Sequence, residues 1–153
     1  MIRTDRRLRI CTVLLILNLC FIWGNSLLPG ETSGAFSDWV KQMLEILLPG
    51  DEISPSGGGL LRKLAHLTEF MGLGIWLFWL FSMLGKHKGF TLLWGTLAAC
   101  VDETIQMLVP DRGPSLKDVG IDACGVLTGM ILLQIGYGLW RRKQITNFGG
   151  NNQ

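Results

Sequence analysis

Charge is scarce in this chain of 153 residues: Asp, Glu, Lys and Arg together make up 17%. A soluble domain of this size usually carries roughly a quarter. Too little charge remains to coat a water-soluble enzyme, and a net charge of +2 does not make a basic nucleic-acid binder. Histidine occurs only at His66 and His87. No Glu-x-x-His pair of the di-iron bundle kind is present, nor any Cys/His pairing of a zinc finger. The four cysteines, Cys11, Cys20, Cys100 and Cys124, stand alone within apolar runs, where a thiol acts as a small apolar group; no disulfide framework follows. A Gly-rich phosphate loop opening a helix is missing, and so is a serine elbow.

Apolar residues are abundant instead, at 48%, with a mean hydropathy of +0.36. They are gathered into four runs, at about 10–28, 64–84, 90–109 and 119–140. Each is long enough for a helix at 1.5 Å per residue to cross an apolar layer of about 30 Å. Too little chain is left over for a separate soluble domain, and no repeat or interdomain linker appears. The sequence therefore predicts an all-α fold, a four-helix transmembrane bundle forming a single domain over 1–153. The first run is expected to stay as a span: Phe21–Ser26 lacks a small-x-small cleavage pattern, and the bulky Leu19 before Cys20 argues against a lipoprotein site.

The distribution of basic residues orients the bundle. Arg3, Arg6, Arg7 and Arg9 precede the first run, Lys86 and Lys88 separate the second from the third, and Arg141, Arg142 and Lys143 follow the fourth. These three segments hold nine of the 14 Lys and Arg residues. Lys/Arg excess in short loops marks the cytoplasmic side, so both termini are predicted on the cytoplasmic side of the plasma membrane. The long first connection is then external. Within it Phe36, Val40, Met43, Leu44, Leu47 and Leu48 recur at helical spacing opposite Asp38, Lys41, Gln42 and Glu45. That pattern predicts a short amphipathic helix, lying either in the outer interface or over the mouth of the bundle. Ser54–Gly59 reads as a hinge. Gly125-x-x-x-Gly129 and Gly95-x-x-x-Ala99, with Gly72 and Gly74, read as sites of close helix approach.

Polar residues interrupt the runs at three places. Lys63, His66 and Glu69 share one stripe at the start of the second run. Asp102, Glu103 and Gln106 end the third, and Arg112, Ser115, Asp118 and Asp122 surround the start of the fourth. In the orientation set by the basic residues, all three places fall toward the outer face. An intramembrane charge costs roughly 2.5–3.5 kcal/mol at mid-span, so five acids are expected to face one another and Lys63, Arg112 and His66 rather than lipid. The site chemistry stays open between three readings. In one the set is a satisfied packing network. In another Lys63 and Arg112, with Gln106, Ser115, Asp118 and Asp122, bind a ligand. In the last His66 with Glu69, Asp102 and Glu103 does acid–base catalysis. Arg112 is expected to pair with Asp102 or Glu103. No cofactor is predicted; imidazole plus carboxylates (His66, Glu69, Asp102, Asp118) suits a divalent metal as a lesser alternative.

Lys63-x-x-His66-x-x-Glu69-Phe70, then Asp102-Glu103-x-x-Gln106, Pro110-x-Arg112 and Asp118-Val119-x-x-Asp122-x-x-Gly125, taken in this order, resemble the VanZ-like family. The polar Trp23-Gly24-Asn25-Ser26 stretch is similar to that family's end of the first span, with Ser26 the best-matched residue; Asp122 stands where many members carry Asn. The resemblance implies a four-span bacterial envelope protein whose namesake is an accessory factor in teicoplanin resistance. It implies as partner a membrane lipid or cell-wall precursor head group, and no nucleic acid. A hydrolase or transferase acting on lipid-linked phosphate is the alternative. A homo-oligomer stays open, and transport fits poorly because no inverted repeat is visible.

Overall fold

The computed structural model describes the backbone of residues 2–28, 57–110 and 115–149, and side chains within 6–28, 63–110 and 115–143. Among these residues all regular structure is helical. Four helices follow one another: α1 (Ile2–Ser26), α2 (Gly57–Met83), α3 (Gly89–Gln106) and α4 (Leu116–Gly149). The amphipathic helix expected at Phe36–Leu48 and the residue Arg112 lie outside the described residues. Of the expected hinge, Gly57, Gly58 and Gly59 are already the first turn of α2.

Three of the helices are long and apolar enough to cross a membrane, over Arg6–Ser26, Lys63–Met83 and Leu116–Lys143. The third of the four expected spans is not among them, and its bounds differ from the expected run. Helix α3 has 18 residues and stops at Gln106, not at Val109, and Asp102, Glu103 and Gln106 occupy its last two turns. At 1.5 Å per residue it rises about 27 Å. Helix α4 starts three residues earlier than expected, at Leu116, which draws Asp118 into its first turn.

Local chemistry sets the ends. Gly85, with φ of 64°, closes α2: the Lys86 N–H donates to Phe81 O at 2.9 Å and the Gly85 N–H to Ser82 O at 3.3 Å, the paired bonds of a left-handed glycine cap. The Gly89 N–H at the start of α3 donates to His87 Nδ1 at 3.1 Å. Ser115 caps α4 by accepting the Asp118 N–H at 3.3 Å. Four hydroxyls along the helices are satisfied internally: Thr12, Thr68, Thr104 and Thr128 each donate to the carbonyl four residues back. A lipid-facing hydroxyl needs that bond, because hydrocarbon offers none.

Helices α2 and α3 form the centre, flanked by α1 on one side and α4 on the other, and the α2–α4 contact is the most extensive. Glycine makes that contact close. A Cβ on Gly125 would stand 2.5 Å from Leu67 O, and one on Gly129 would run into Met71 O. Facing them, a Cβ on Gly74 would run into Val126 O. The core between the layers is Leu15, Ile22, Phe70, Leu73, Leu77, Ala99 and Val126. Outward, Val13, Leu17, Phe21, Leu93, Trp94, Leu97, Ile131, Leu132 and Ile135 are exposed. A belt of that size would be an aggregation liability in water and suits a lipid surround.

Candidate functional site

Helix direction brings the site together. Alternate helices run oppositely, so the C-terminal ends of α1 and α3 meet the N-terminal ends of α2 and α4. Asp102 stands at the centre, fully buried. Ser26 Oγ donates to its Oδ1 at 2.6 Å, and Gln106 Nε2 donates to its Oδ2 at 2.8 Å. Gln106 also reaches Ser26 Oγ at 3.5 Å. His66 Nδ1 lies 3.8 Å from Asp102 Oδ2. Beside this group Asn25 Nδ2 donates to Glu69 Oε1 at 2.8 Å, tying α1 to α2.

Asp122, nearly two turns into α4, is 1% exposed. Neither of its carboxylate oxygens has a hydrogen-bond partner among the described residues. One ligand atom each of His66, Asp102 and Asp122 falls within a common span of 4.8 Å. Glu103, next to Asp102 on α3, accepts the Ser115 backbone N–H at 2.7 Å, fastening the start of α4 to the end of α3. A small cavity of about 10 Å³ remains, lined by Lys63, His66, Glu103, Gln106, Asp118, Ile121 and Asp122. It has room for about one water molecule or one bare ion. Lys63 itself is exposed at the rim.

Of the residues singled out in the sequence, His66, Asp102, Gln106 and Asp122 thus meet directly, with Glu69 and Glu103 on either side and Lys63 and Asp118 at the rim. The Ser115 hydroxyl is engaged in capping. Arg112 and its expected ion pair lie outside the described residues. Asn25 and Asn18 were not among the candidate residues. Asn18 Oδ1 is buried without a hydrogen-bond partner among the described residues, and Gly72 packs close by, where a Cβ would be 3.6 Å from Asn18 Nδ2. The signal for both was present: each is an amide interrupting the first apolar run, and intramembrane polar residues face the bundle rather than lipid.

A family model described as VanZ/LLP1 matches residues 11–137. The chain belongs to the VanZ/LLP1 family. The match takes in most of α1, all of α2 and α3, and α4 through Tyr137, and so includes every residue of the buried polar group. With its three long apolar helices, this VanZ/LLP1 chain is a multi-pass membrane protein. Comparison with curated proteins and with solved structures returns no match.

Proposed function

We propose that this protein is a bacterial envelope protein that recognises a lipid or cell-wall precursor head group at the outer leaflet. In this role it contributes to resistance against teicoplanin-type glycopeptides. The observation that carries the reading is convergence: Ser26, His66, Asp102 and Asp122, one from each helix, meet at one end of an otherwise apolar bundle. The reading takes the chain as a single domain over 1–153 with four spans and both termini cytoplasmic, so that this end faces outward. In support, Arg6, Arg7, Arg9, Lys86, Lys88, Arg141, Arg142 and Lys143 all belong to the opposite end, as expected of a cytoplasmic face. A cavity of about 10 Å³ is too small for a head group, so recognition falls to the rim where Lys63 stands; Lys63 and Arg112 are by their chemistry suited to phosphate or carboxylate oxygens.

A second reading has its own observation. His66 Nδ1, 3.8 Å from Asp102 Oδ2, resembles a base with an orienting carboxylate, which suits a hydrolase or transferase acting on lipid-linked phosphate. One experiment addresses both. In cells challenged with teicoplanin, Arg112→Ala and His66→Ala are each expected to abolish protection at unchanged membrane levels. Wild-type protection by both variants would reduce the cluster to packing. Loss of activity in His66→Ala with head-group binding retained would select the enzyme.

A further inference from the structure

We infer that His66, Asp102 and Asp122 form a binding site for one divalent transition-metal ion of the zinc class, just beneath the polar rim. The inference stands whether or not the head-group reading holds, because its test involves neither lipid nor antibiotic.

The first observation is donor geometry. One atom from each of the three residues lies within 4.8 Å of the others, and the three come from three different helices. Ligand atoms around a tetrahedral centre at 2.0–2.2 Å stand roughly 3.3–3.5 Å apart. Taking up an ion therefore asks these side chains to close by about an ångström, within the reach of rotamer adjustment.

The second observation is independent and concerns Asp122. A buried carboxylate normally accepts several hydrogen bonds, and leaving it without any is costly. Asp122 is 1% exposed, and both its oxygens lack a hydrogen-bond partner among the described residues. The residue lines the cavity of about 10 Å³ that His66 also lines, and that volume suits a single ion. A cation there would satisfy the carboxylate.

The third observation is the support around Asp102. Its two oxygens are each held by a donor from the side, Ser26 Oγ at 2.6 Å and Gln106 Nε2 at 2.8 Å, which fixes the carboxylate while leaving lone pairs for a metal. Ligating carboxylates are held in this way, and loss of such a support costs about 10–100-fold in affinity. The donor set selects the class of metal. Calcium and magnesium ask for six or more oxygens, several of them from carboxylates or water, whereas one imidazole with two carboxylates suits zinc, manganese or iron. Three protein ligands leave a fourth position open, as in reactive rather than purely structural zinc sites. The cavity is lined besides by Lys63, Gln106 and Asp118.

The test uses the full chain purified in detergent. It is stripped with a chelator, titrated with zinc and with manganese, and read by elemental analysis and by the d–d spectrum after cobalt substitution. About one ion per chain is expected, with a tetrahedral cobalt spectrum. Asp122→Asn and His66→Gln should each weaken binding by more than about tenfold, and Gln106→Leu by about tenfold. His87→Gln, at the other end of the bundle, should bind as wild type. Melting of the metal-free proteins guards against misfolding: metal-free Asp122→Asn should melt at or above metal-free wild type, because a buried unpartnered acid has been removed. Wild-type protein that takes up no ion overturns the site, and so does undiminished binding by Asp122→Asn.

Discussion

The two ends of this bundle are built on opposite principles. At the polar end the helices are pressed together and cross-linked by buried bonds, and the cavity between His66 and Asp122 is only about 10 Å³. At the other end a cavity of about 790 Å³ opens between α2 and α4, lined by Trp76, Trp79, Tyr137, Lys88 and Arg141 among others. Four of the α4 glycines follow this difference, while Gly120, near the start of the helix, has open space around it like the far end. Gly125 and Gly129 touch the α2 backbone, while a Cβ on Gly136 or Gly138 would meet nothing within 4 Å. The bonding follows the same gradient: Ser26, Asp102 and Gln106 are buried and joined, whereas the Lys88 Nζ to Gln134 Oε1 bond of 2.9 Å is exposed. Acids collect at the closed end, bases and ring pairs such as Trp76–Trp79 and Tyr137–Trp140 at the open one. Aromatic and basic residues are what a membrane–water interface favours. Specific geometry is invested at one end, and the other serves as an anchor.

The largest expected effect tests the gradient through glycine. Gly129→Leu places a side chain against the Met71 carbonyl, and backbone there can yield only if α2 and α4 part. Overpacking of this kind costs about 1–3 kcal/mol and occasionally more; with backbone as the obstacle we expect at least about 3 kcal/mol, read as a large drop in melting temperature in detergent. Gly136→Leu, into open space on the same helix, should change stability by less than about 0.5 kcal/mol. Equal effects at both positions would erase the distinction between the ends.

Next in size is Asp102→Ala. Removing the carboxylate leaves the Ser26 hydroxyl and the Gln106 amide buried without their acceptor, at about 1–3 kcal/mol for a stranded group. We expect a loss of about 2 kcal/mol in metal-free protein, measured by thermal melting, and a smaller loss for Asp102→Asn, whose amide oxygen still accepts one of the two bonds. A neutral Asp102→Ala would mean that the polar end is not what holds the helices in register.

Much of this gradient was legible in the sequence, and the illegible part has a physical cause. Three of the spans followed from run length alone. Gly125-x-x-x-Gly129 was readable as a close approach because only a missing side chain lets two backbones meet. The meeting of His66, Asp102 and Asp122 could be anticipated because charges avoid lipid. Which donor serves which acceptor could not. The Ser26–Asp102 bond joins residues 76 positions apart and depends on the axial offset of α1 against α3, which no local pattern encodes. The early end of α3 was hidden for a related reason: Met107, Leu108 and Val109 prolong the apolar run in composition while the chain has already left the helix. The open cavity at the aromatic end was hidden too, since nothing in the spacing of Gly136 and Gly138 says that no neighbour approaches them.

The smallest expected effect is Lys88→Ala. Its ammonium donates to Gln134 Oε1 across the α3–α4 gap, which looks on geometry alone like a helix tie as good as Ser26 to Asp102. Exposure decides otherwise. Water or lipid head groups replace the lost partner on Gln134 at once, the freed chain regains rotamer entropy, and exposed polar links of this sort contribute about 0.2–1 kcal/mol at most. We expect a change below about 0.5 kcal/mol for Lys88→Ala. Ser26→Ala, at the closed end, should cost about 0.6–1.7 kcal/mol, the range found for hydrogen bonds between membrane helices. The pair sharpens the comparison because each substitution deletes a short interhelical hydrogen bond, 2.9 Å against 2.6 Å, Ser26→Ala removing also the long 3.5 Å contact from Gln106, and the two sites differ chiefly in burial. If Lys88→Ala proves the more damaging of the two in the same melting experiment, the open end is holding the bundle and the division of labour drawn from the two cavities is inverted.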